Sequence, residues 1–172
     1  KAKLLRFGGK YRIIFHLRWK TSKFAKAILQ EYGILKGKGR VAAAAAMELP
    51  DGTIVTGSTS DLMGPASAVL LNAIKILGNI DKDVHLISRT FIEPIQELKT
   101  DYLGSRNPRL HTDEVLIALS MCAVSDPNAR LALEQLPKLS GCQLHISSIL
   151  SSVDMNTFNK LGIEFTNEAV YE

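Results

Sequence analysis

The sequence predicts an α/β fold, a three-layer sandwich with an N-terminal β-hairpin and a mixed, mostly parallel sheet. Three observations lead to this prediction. Apolar residues make up 46% and charged residues 22% of the 172 residues, which is typical of a globular domain with a substantial core. The dipeptide Asp51-Gly52, a hairpin-turn signal, separates two strand-like segments. Beyond it, segments with helix-start and helix-stop signals alternate with short β-rich segments, as in parallel sheets.

The first predicted elements surround this turn. A helix is predicted over 22–32, where a serine caps its start and a glycine follows its end. Strands are predicted over 40–48 and 53–56, before and after the turn. The alanine run at 42–46 has helical propensity, but the turn and the β-branched residues that follow at once favour a strand. Small side chains on a strand predict helices packed closely against it.

The remaining elements are predicted from capping residues, prolines and glycines. Predicted helices cover 64–77, 90–104, 112–124, 126–136 and 151–161, and predicted strands cover 84–88, 142–150 and 163–166. The complete predicted order is α-β-β-α-β-α-α-α-β-α-β. A hairpin with an Asp-Gly turn followed by a helix, a strand and a helix is the element order of the cytidine-deaminase-like fold. We therefore expect that topology.

The zinc ligands of the deaminases are missing at the two places where this topology would put them. Zinc deaminases carry a His or Cys with a Glu at the first of these helices, and Pro-Cys-x-x-Cys at the second. Here the first junction, over 63–67, reads MGPAS, and the second, over 91–96, reads FIEPIQ. Neither segment supplies the imidazole or thiolate ligands that zinc prefers. The sequence therefore predicts a deaminase-like domain without zinc.

Other metal and cofactor motifs are also missing from the sequence. The four histidines are scattered, and Cys122 and Cys142 lie in apolar surroundings without a CxxC partner. The basic loop over 37–39 leaves a predicted helix and enters a strand, the reverse of a phosphate-binding P-loop. We expect no metal and no cofactor. The reduced cysteines, with no signal segment and no apolar run near ~18 residues, predict a cytoplasmic protein without a membrane span.

Two polar clusters at predicted helix starts form the candidate site. The cluster over 56–61 offers small hydroxyls and backbone donors to an anion. The cluster over 104–114 contains two arginines suited to phosphate or carboxylate and a histidine suited to acid–base chemistry near neutral pH. Helix capping and turn formation are the alternative interpretation of both clusters. The predicted ligand-binding residues are Thr59, Ser60, Ser67, Arg106, Asn107 and Arg109, and the predicted catalytic residues are His111, Glu114 and Glu93.

Charge is divided unevenly along the chain. Residues 1–40 contain 12 basic residues and one acidic residue, a net charge of +11. Residues 41–172 contain 9 basic and 16 acidic residues, a net charge of −7. A basic arm that binds nucleic acid by counterion release is one interpretation of this division. The sequence context of this segment is unusual, as shown next, so we do not expect nucleic-acid binding.

Long stretches from about residue 22 onward resemble the C-terminal domain of an uncharacterised bacterial protein family. The stretches are GKGRVAAAAAMELPDGTIVTG at 37–57, IEPIQ at 92–96, YLGSRNPRLHTDEVLIAL at 102–119 and LEQLPKL at 133–139. Members of this family are expected to be roughly three times longer than this chain, and some carry the label ATP-dependent zinc protease or peptidase. The resemblance implies a deaminase-like α/β sandwich and no established activity. The residues contain neither a zinc-protease motif nor a nucleotide loop in support of the label.

The segment LRFGGK at 5–10 resembles the beginning of the same family's N-terminal domain. Family members place several hundred residues between that beginning and the C-terminal domain. We therefore expect a family member that lacks its middle, with 1–21 as a basic remnant and 22–172 as the deaminase-like domain. The chain begins with Lys1, which is consistent with a fragment.

Two functional hypotheses follow. In the first, the zinc-free domain binds a small anionic metabolite or nucleotide through the two polar clusters. In the second, the domain is part of a hydrolase or transferase active site that the missing domain completes, with His111, Glu114 or Glu93 as acid or base. The sequence leaves open whether the chain is an enzyme and whether it forms a homo-oligomer.

Overall fold

The computed structural model describes residues 43–167. The basic segment over 1–21 and the predicted helix over 22–32 lie outside this range. The strands are β1 (Ala44–Glu48), β2 (Ile54–Ser58), β3 (Gln143–Ile146) and β4 (Glu164–Asn167). The helices are α1 (Pro65–Leu77), α2 (Arg89–Glu97), α3 (Thr112–Cys122), α4 (Pro127–Leu133) and α5 (Ser152–Lys160). A π-helical turn, Leu98–Tyr102, extends α2, and a 3₁₀ turn, Leu136–Leu139, follows α4.

The four described strands form one mixed sheet in the order β2-β1-β3-β4. β1 is antiparallel to both of its neighbours, and β3 is parallel to β4. β2, β3 and β4 therefore run in one direction, and β1 runs in the other. The predicted α/β class and mixed sheet are confirmed. The prediction of a mostly parallel sheet is correct for the directions of the described strands, three of which run the same way. It is wrong for their pairings, because β1 lies between β2 and β3 and is antiparallel to both.

The described core lies between one face of the sheet and the helices. In the central ladder, Ala45 is opposite Ile146 and Met47 is opposite Leu144, and all four side chains are fully buried. The helices contribute buried apolar residues to the same cluster, among them Leu70, Ile74, Val115, Leu119, Ala129 and Phe158. Ala44 and Ala46 alternate with these residues along β1 and are also fully buried.

Close packing of a helix on the hairpin, predicted from the small residues of β1, is confirmed at β2. A Cβ atom built on Gly57 would lie 2.2 Å from the backbone nitrogen of Val69 and 2.6 Å from its Cα. Real Cβ atoms do not approach a backbone so closely, so only glycine lets α1 reach β2 here. Gly57 is paired with Ala45 across the ladder, so two neighbouring positions of the sheet carry little or no side chain beneath the helix.

The strand predicted over 84–88 is wrong, since the structure has an irregular segment there. Hydrogen bonds to Asp81 form a turn before this segment, although its composition favours a strand. The Asp81 carboxylate accepts a hydrogen bond from the amide of Asp83 at 2.8 Å, and the amide of Val84 donates to the Asp81 carbonyl at 3.1 Å. Leu86 and Ile87 of this segment are both buried.

The strand predicted over 142–150 is shorter than expected, because β3 ends at Ile146. At the next residue the Ser147 amide still donates to the Ala44 carbonyl at 2.9 Å, and the side chain adds further bonds. The hydroxyl of Ser147 accepts a hydrogen bond from the Ala44 amide at 2.9 Å and donates to the Ala44 carbonyl at 3.1 Å. The chain then leaves the sheet as a serine-rich loop, which leads to α5 and borders the candidate site.

Candidate functional site

A concavity of ≈ 670 Å³ lies at the end of the sheet where β2 and β3 terminate. We call it the polar pocket. The loop after β3 lines one side, and the segments that lead into α1 and α3 line the others. The ends of parallel strands, where helices begin, are where open α/β sheets bind ligands. Its lining residues are Ala43, Thr59, Gly64, Pro65, Ala66, Ser67, Asn107, Arg109, Leu110, His111, Ser147, Ser148, Ile149, Leu150, Ser151 and Asp154.

Three helices begin at the polar pocket. The residues that precede their first turns, Gly64 for α1, His111 for α3 and Ser151 for α5, all line it. The first turn of a helix has unsatisfied backbone N–H groups and a positive dipole end. At α3 and α5 several of these N–H groups already donate to side chains, among them Thr112 to Asp154 and Asp154 to Ser151, so the contribution that remains for a ligand is the positive end of the helix dipoles.

The two polar clusters predicted from the sequence meet at this pocket. The Arg109 Nε donates a hydrogen bond to the Ser60 carbonyl at 2.7 Å. The amide of Leu110 donates to the Leu62 carbonyl at 3.0 Å, and the Ser67 hydroxyl donates to the Leu110 carbonyl at 3.0 Å. Backbone and side-chain bonds thus join the segment over 59–67 to the segment over 107–111.

Asp154, a nearly buried residue of α5, organises the start of α3. Its Oδ1 accepts hydrogen bonds from the amide and the hydroxyl of Thr112, both at 2.9 Å. Its Oδ2 accepts the Ser151 hydroxyl at 2.7 Å and lies 3.2 Å from His111 Nδ1. Burial alone would raise the pKa of this carboxyl, but the hydrogen bonds from Ser151, Thr112 and His111 outweigh it and hold the pKa below its ordinary value.

Serine, histidine and aspartate are thus adjacent, but they do not form a nucleophilic triad. The Ser151 hydroxyl and the Asp154 carboxylate both approach the same ring nitrogen, Nδ1 of His111, at 3.3 and 3.2 Å. A triad needs the hydroxyl at one nitrogen and the carboxylate at the other. Nε2 of His111 has no hydrogen-bond partner within residues 43–167, and the side chain is 31% exposed.

Glu114 stabilises the loop that leads into α3 through contacts outside the polar pocket. Its Oε2 accepts hydrogen bonds from the His111 amide at 2.7 Å and from the Lys99 ammonium at 2.6 Å. Lys99 is buried, and its ammonium also donates to the Arg109 carbonyl at 2.7 Å. Glu114 therefore caps α3 and pairs with a buried cation, and it does not line the polar pocket.

The structure brings five of the nine predicted site residues to the pocket, namely Thr59, Ser67, Asn107, Arg109 and His111. Ser60, Arg106, Glu114 and Glu93 are not among its lining residues. The Ser60 hydroxyl accepts the amides of Leu62 and Met63, as in a capped turn. Glu93 is exposed on α2, 3.9 Å from Arg89. The functional roles of all nine remain predictions.

Sequence reasoning missed Asp154, Ser151 and the serines after β3 as pocket residues. The Ser-x-x-Asp spacing of residues 151 and 154 was visible, but it predicts only a helix cap. The cap is present, since the Ser151 hydroxyl accepts the Asp154 amide at 3.1 Å. Asp154 contacts Thr112 and His111, which lie 42 and 43 positions earlier in the chain, and no local sequence pattern predicts these contacts.

The structure gives further findings on metals, thiols and membranes. Within 43–167, His, Cys, Asp and Glu form no group of three or more that could hold a metal ion. Cys122 and Cys142 are buried free thiols, and burial raises the pKa of Cys142. Of the helices in the described part of the chain, none has the length and the apolar stretch that a membrane crossing requires.

The fold and the pocket define an α/β domain with a polar pocket at the C-terminal ends of β2 and β3. The chain belongs to the family described as Domain of unknown function DUF1846, C-terminal, whose model matches residues 20–172. This agrees with the family resemblance of its motifs.

Individual relatives are called UPF0371 proteins. The chain is 57% identical over 126 residues to UPF0371 protein cu0538 of Corynebacterium urealyticum. It is 56% identical over 127 residues to UPF0371 protein DIP2346 of Corynebacterium diphtheriae, and 49% identical over 129 residues to UPF0371 protein SpyM50764 of Streptococcus pyogenes. These alignments cover 73% to 75% of this chain but only 25% to 26% of each relative. The chain thus spans about a quarter of their length.

Proposed function

We propose that this domain binds a small anionic ligand, a phosphorylated metabolite or a nucleotide, in the polar pocket. The observation that carries the proposal is the convergence of Asn107, Arg109 and His111 with three helix starts on one concavity of ≈ 670 Å³. A volume of this order holds a molecule the size of a nucleotide. Backbone donors at helix starts and a guanidinium both favour negative charge.

In this proposal, different side chains around the pocket contact different parts of the ligand. Arg109 is fixed through Nε by the Ser60 carbonyl, which leaves its terminal nitrogens to meet an anionic group. Ser148 lies on the loop after β3 and adds a hydroxyl to the lining. Ile149 is 70% exposed at the pocket, where it offers an apolar surface to a base or another uncharged part of the ligand.

We further propose that the domain has the deaminase-like topology. Support comes from the antiparallel β1–β2 hairpin, the helix α1 that follows and packs on it, and the strand order with only β1 reversed. The irregular segment over 81–88, in place of a strand, is a departure from the predicted element order. In the deaminases the beginning of the helix after the hairpin faces the substrate. The corresponding residues here, Gly64 to Ser67, line the polar pocket.

A ligand panel tests the binding proposal. The 172-residue chain and a full-length UPF0371 relative are heated with inorganic pyrophosphate, nucleoside mono- and diphosphates, and the matching uncharged nucleosides. A ligand present at a concentration of about 100 times its Kd stabilises the native state by about 2.7 kcal/mol and raises the melting temperature. We expect a rise with charged compounds only. No rise with any anion in either protein would contradict the proposal.

The two arginines of the loop provide a matched pair of variants. Arg109 lines the pocket, whereas Arg106 is exposed and does not. We expect Arg109→Gln to weaken binding of the anion found in the panel about tenfold, the loss of one charge-assisted hydrogen bond. Arg106→Gln should leave the affinity within about twofold, measured by titration calorimetry. Equal losses in both variants would indicate attraction by net charge and not by a site.

The second candidate function is an acid–base active site that another part of a longer protein completes. The contact between Asp154 and His111 favours it, because a carboxylate that orients a histidine is a frequent arrangement in hydrolases and transferases. The test is an activity in a full-length relative that the equivalent of His111→Ala abolishes. Retention of that activity would exclude the role.

A further inference from the structure

We infer that Asp154 is a positioning residue that holds His111 with Nδ1 protonated, so that Nε2 is the nitrogen that exchanges a proton with a phosphate ester or anhydride in the polar pocket. The inference rests on the proposed function for the entry of such a compound. It goes beyond that function by assigning the reactive atom, the residue that fixes it and the substrate class.

The hydrogen-bond pattern around Asp154 determines the direction of each bond. Oδ1 receives the amide and the hydroxyl of Thr112, and Oδ2 receives the hydroxyl of Ser151. A carboxylate surrounded by donors is ionised and accepts only. The ring nitrogen 3.2 Å from Oδ2 therefore carries a hydrogen and donates it.

Ser151 cannot reverse this assignment. Its hydroxyl has one hydrogen, and the carboxylate at 2.7 Å is a nearer and more strongly accepting partner than Nδ1 at 3.3 Å. Its oxygen also accepts the Asp154 amide at 3.1 Å. The serine thus acts as an acceptor toward the backbone and as a donor toward the carboxylate. Nδ1 is left as a donor, and in a neutral imidazole the other nitrogen then has the free electron pair.

The backbone of His111 is fixed as firmly as its ring. The Glu114 carboxylate accepts the His111 amide at 2.7 Å, and the buried Lys99 ammonium holds Glu114 at 2.6 Å. The imidazole is therefore held at its amide by α3 and at Nδ1 by α5. Its remaining polar atom is Nε2, on a side chain that is 31% exposed and lines the pocket.

This arrangement suits proton transfer to and from a ligand. A water or hydroxyl that attacks the phosphorus gives its proton to Nε2 as the new P–O bond forms. The leaving oxygen lies on the opposite side of the phosphorus and takes a proton from a water molecule as the old P–O bond breaks. The imidazolium then gives its proton to the resulting hydroxide, so the histidine is unchanged at the end. The Asp154 carboxylate stabilises the transient imidazolium, and Arg109 and the helix starts favour the negative charge of the phosphate.

The ring tautomer can be measured directly in the unliganded 172-residue chain labelled with ¹⁵N. Long-range proton–nitrogen correlations distinguish a protonated ring nitrogen from a bare one. We expect the neutral His111 ring to have a protonated Nδ1 and a bare Nε2. A ring protonated at Nε2 would overturn the inference, and this result needs no variant.

The near-isosteric variant Asp154→Asn tests the positioning role. Its amide oxygen can keep the bonds from Thr112, while its NH₂ group now faces Nδ1 as a donor. We expect the tautomer to invert, with the hydrogen on Nε2. The control Asp113→Asn changes an exposed carboxylate at the same helix start, whose Oδ1 accepts the Glu114 amide, and should leave the tautomer unchanged. An unchanged tautomer in Asp154→Asn would contradict the inference.

Pyrophosphate titration of the same samples separates the two proposals. Binding together with an Nε2-protonated ring would overturn the assigned tautomer and leave the anion site standing. The predicted tautomer without any binding would support Asp154 as a positioning residue and count against the proposed function.

Discussion

The contact between β2 and α1 and the junction between α3 and α5 are held together in opposite ways. At the first, Gly57 lets two backbones approach so closely that a single methyl group would not fit. At the second, one carboxylate, Asp154, receives bonds from Thr112, Ser151 and His111. The first contact depends on shape and is tolerant of pH. The second depends on charge and hydrogen-bond direction, and it borders the polar pocket.

The difference separates a contact that depends on close packing from one that depends on satisfied hydrogen bonds. A buried carboxylate is costly unless its bonds are satisfied. Apolar residues of similar volume could join α3 to α5 without that cost. The junction caps the starts of α3 and α5, and in our proposal it also holds His111 at the polar pocket.

The largest expected effect is at the close contact. Gly57→Ala places a Cβ only 2.2 Å from the Val69 backbone nitrogen, so α1 must move as a unit. We expect a loss of about 3 kcal/mol in the free energy of unfolding, measured by urea denaturation. Gly64→Ser, at a site with no atom within 4 Å of the added Cβ, is the control and should change stability by less than about 0.5 kcal/mol. Similar losses in both variants would show that the approach of the helix is not what requires glycine.

A smaller effect is expected at Glu114, which supports the pocket loop. Glu114→Gln leaves the buried Lys99 ammonium without its charged partner, and we expect a loss of about 2 kcal/mol. The matched control is Glu93→Gln, which removes an exposed ion pair with Arg89 at 3.9 Å and should cost less than about 0.5 kcal/mol. Thermal or urea unfolding of both variants measures the difference. Equal costs would mean that the Lys99–Glu114 pair contributes no more than a surface pair.

The smallest expected effect is a dependence on acid. Because hydrogen bonds depress the Asp154 pKa in the folded state, its contribution to stability is complete above the ordinary pKa of an aspartate and is lost as pH falls through the lower folded-state value. Between about pH 5 and about pH 2, the free energy of unfolding should therefore fall more in the original chain than in Asp154→Asn. Parallel curves for the two proteins would show that the carboxyl titrates normally.

Local signals in the sequence predict much of this fold. The hairpin and α1 follow from the Asp-Gly turn and Gly64-Pro65, whereas the tight approach of α1 depends on Gly57 of β2. Four further helices begin within about two residues of their predicted starts. The prediction of a strand at 84–88 is wrong because hydrogen bonds to Asp81 form a turn that β propensity does not reveal. Composition could not distinguish that segment from a strand.

The candidate site is less predictable than the fold, because its contacts are distant in sequence. Hydroxyls and arginines at helix starts indicated the two clusters, and the structure joins them through Arg109 and Ser60. The same composition placed Glu114 and Arg106 together with His111, although only the histidine lines the pocket. Which side of a loop a side chain occupies depends on tertiary partners such as Lys99 and Asp154, and no spacing rule encodes them.

The most direct test of the binding claim is to locate the bound anion. Two-dimensional amide spectra of the 172-residue chain are recorded during titration with pyrophosphate and with a nucleoside diphosphate. The account predicts saturable shifts concentrated at 64–67, 107–113 and 148–154, with little change at the opposite end of the sheet around 49–52 and 140–143. Saturable shifts that avoid the first three segments, or no saturable shift with either compound, would contradict it.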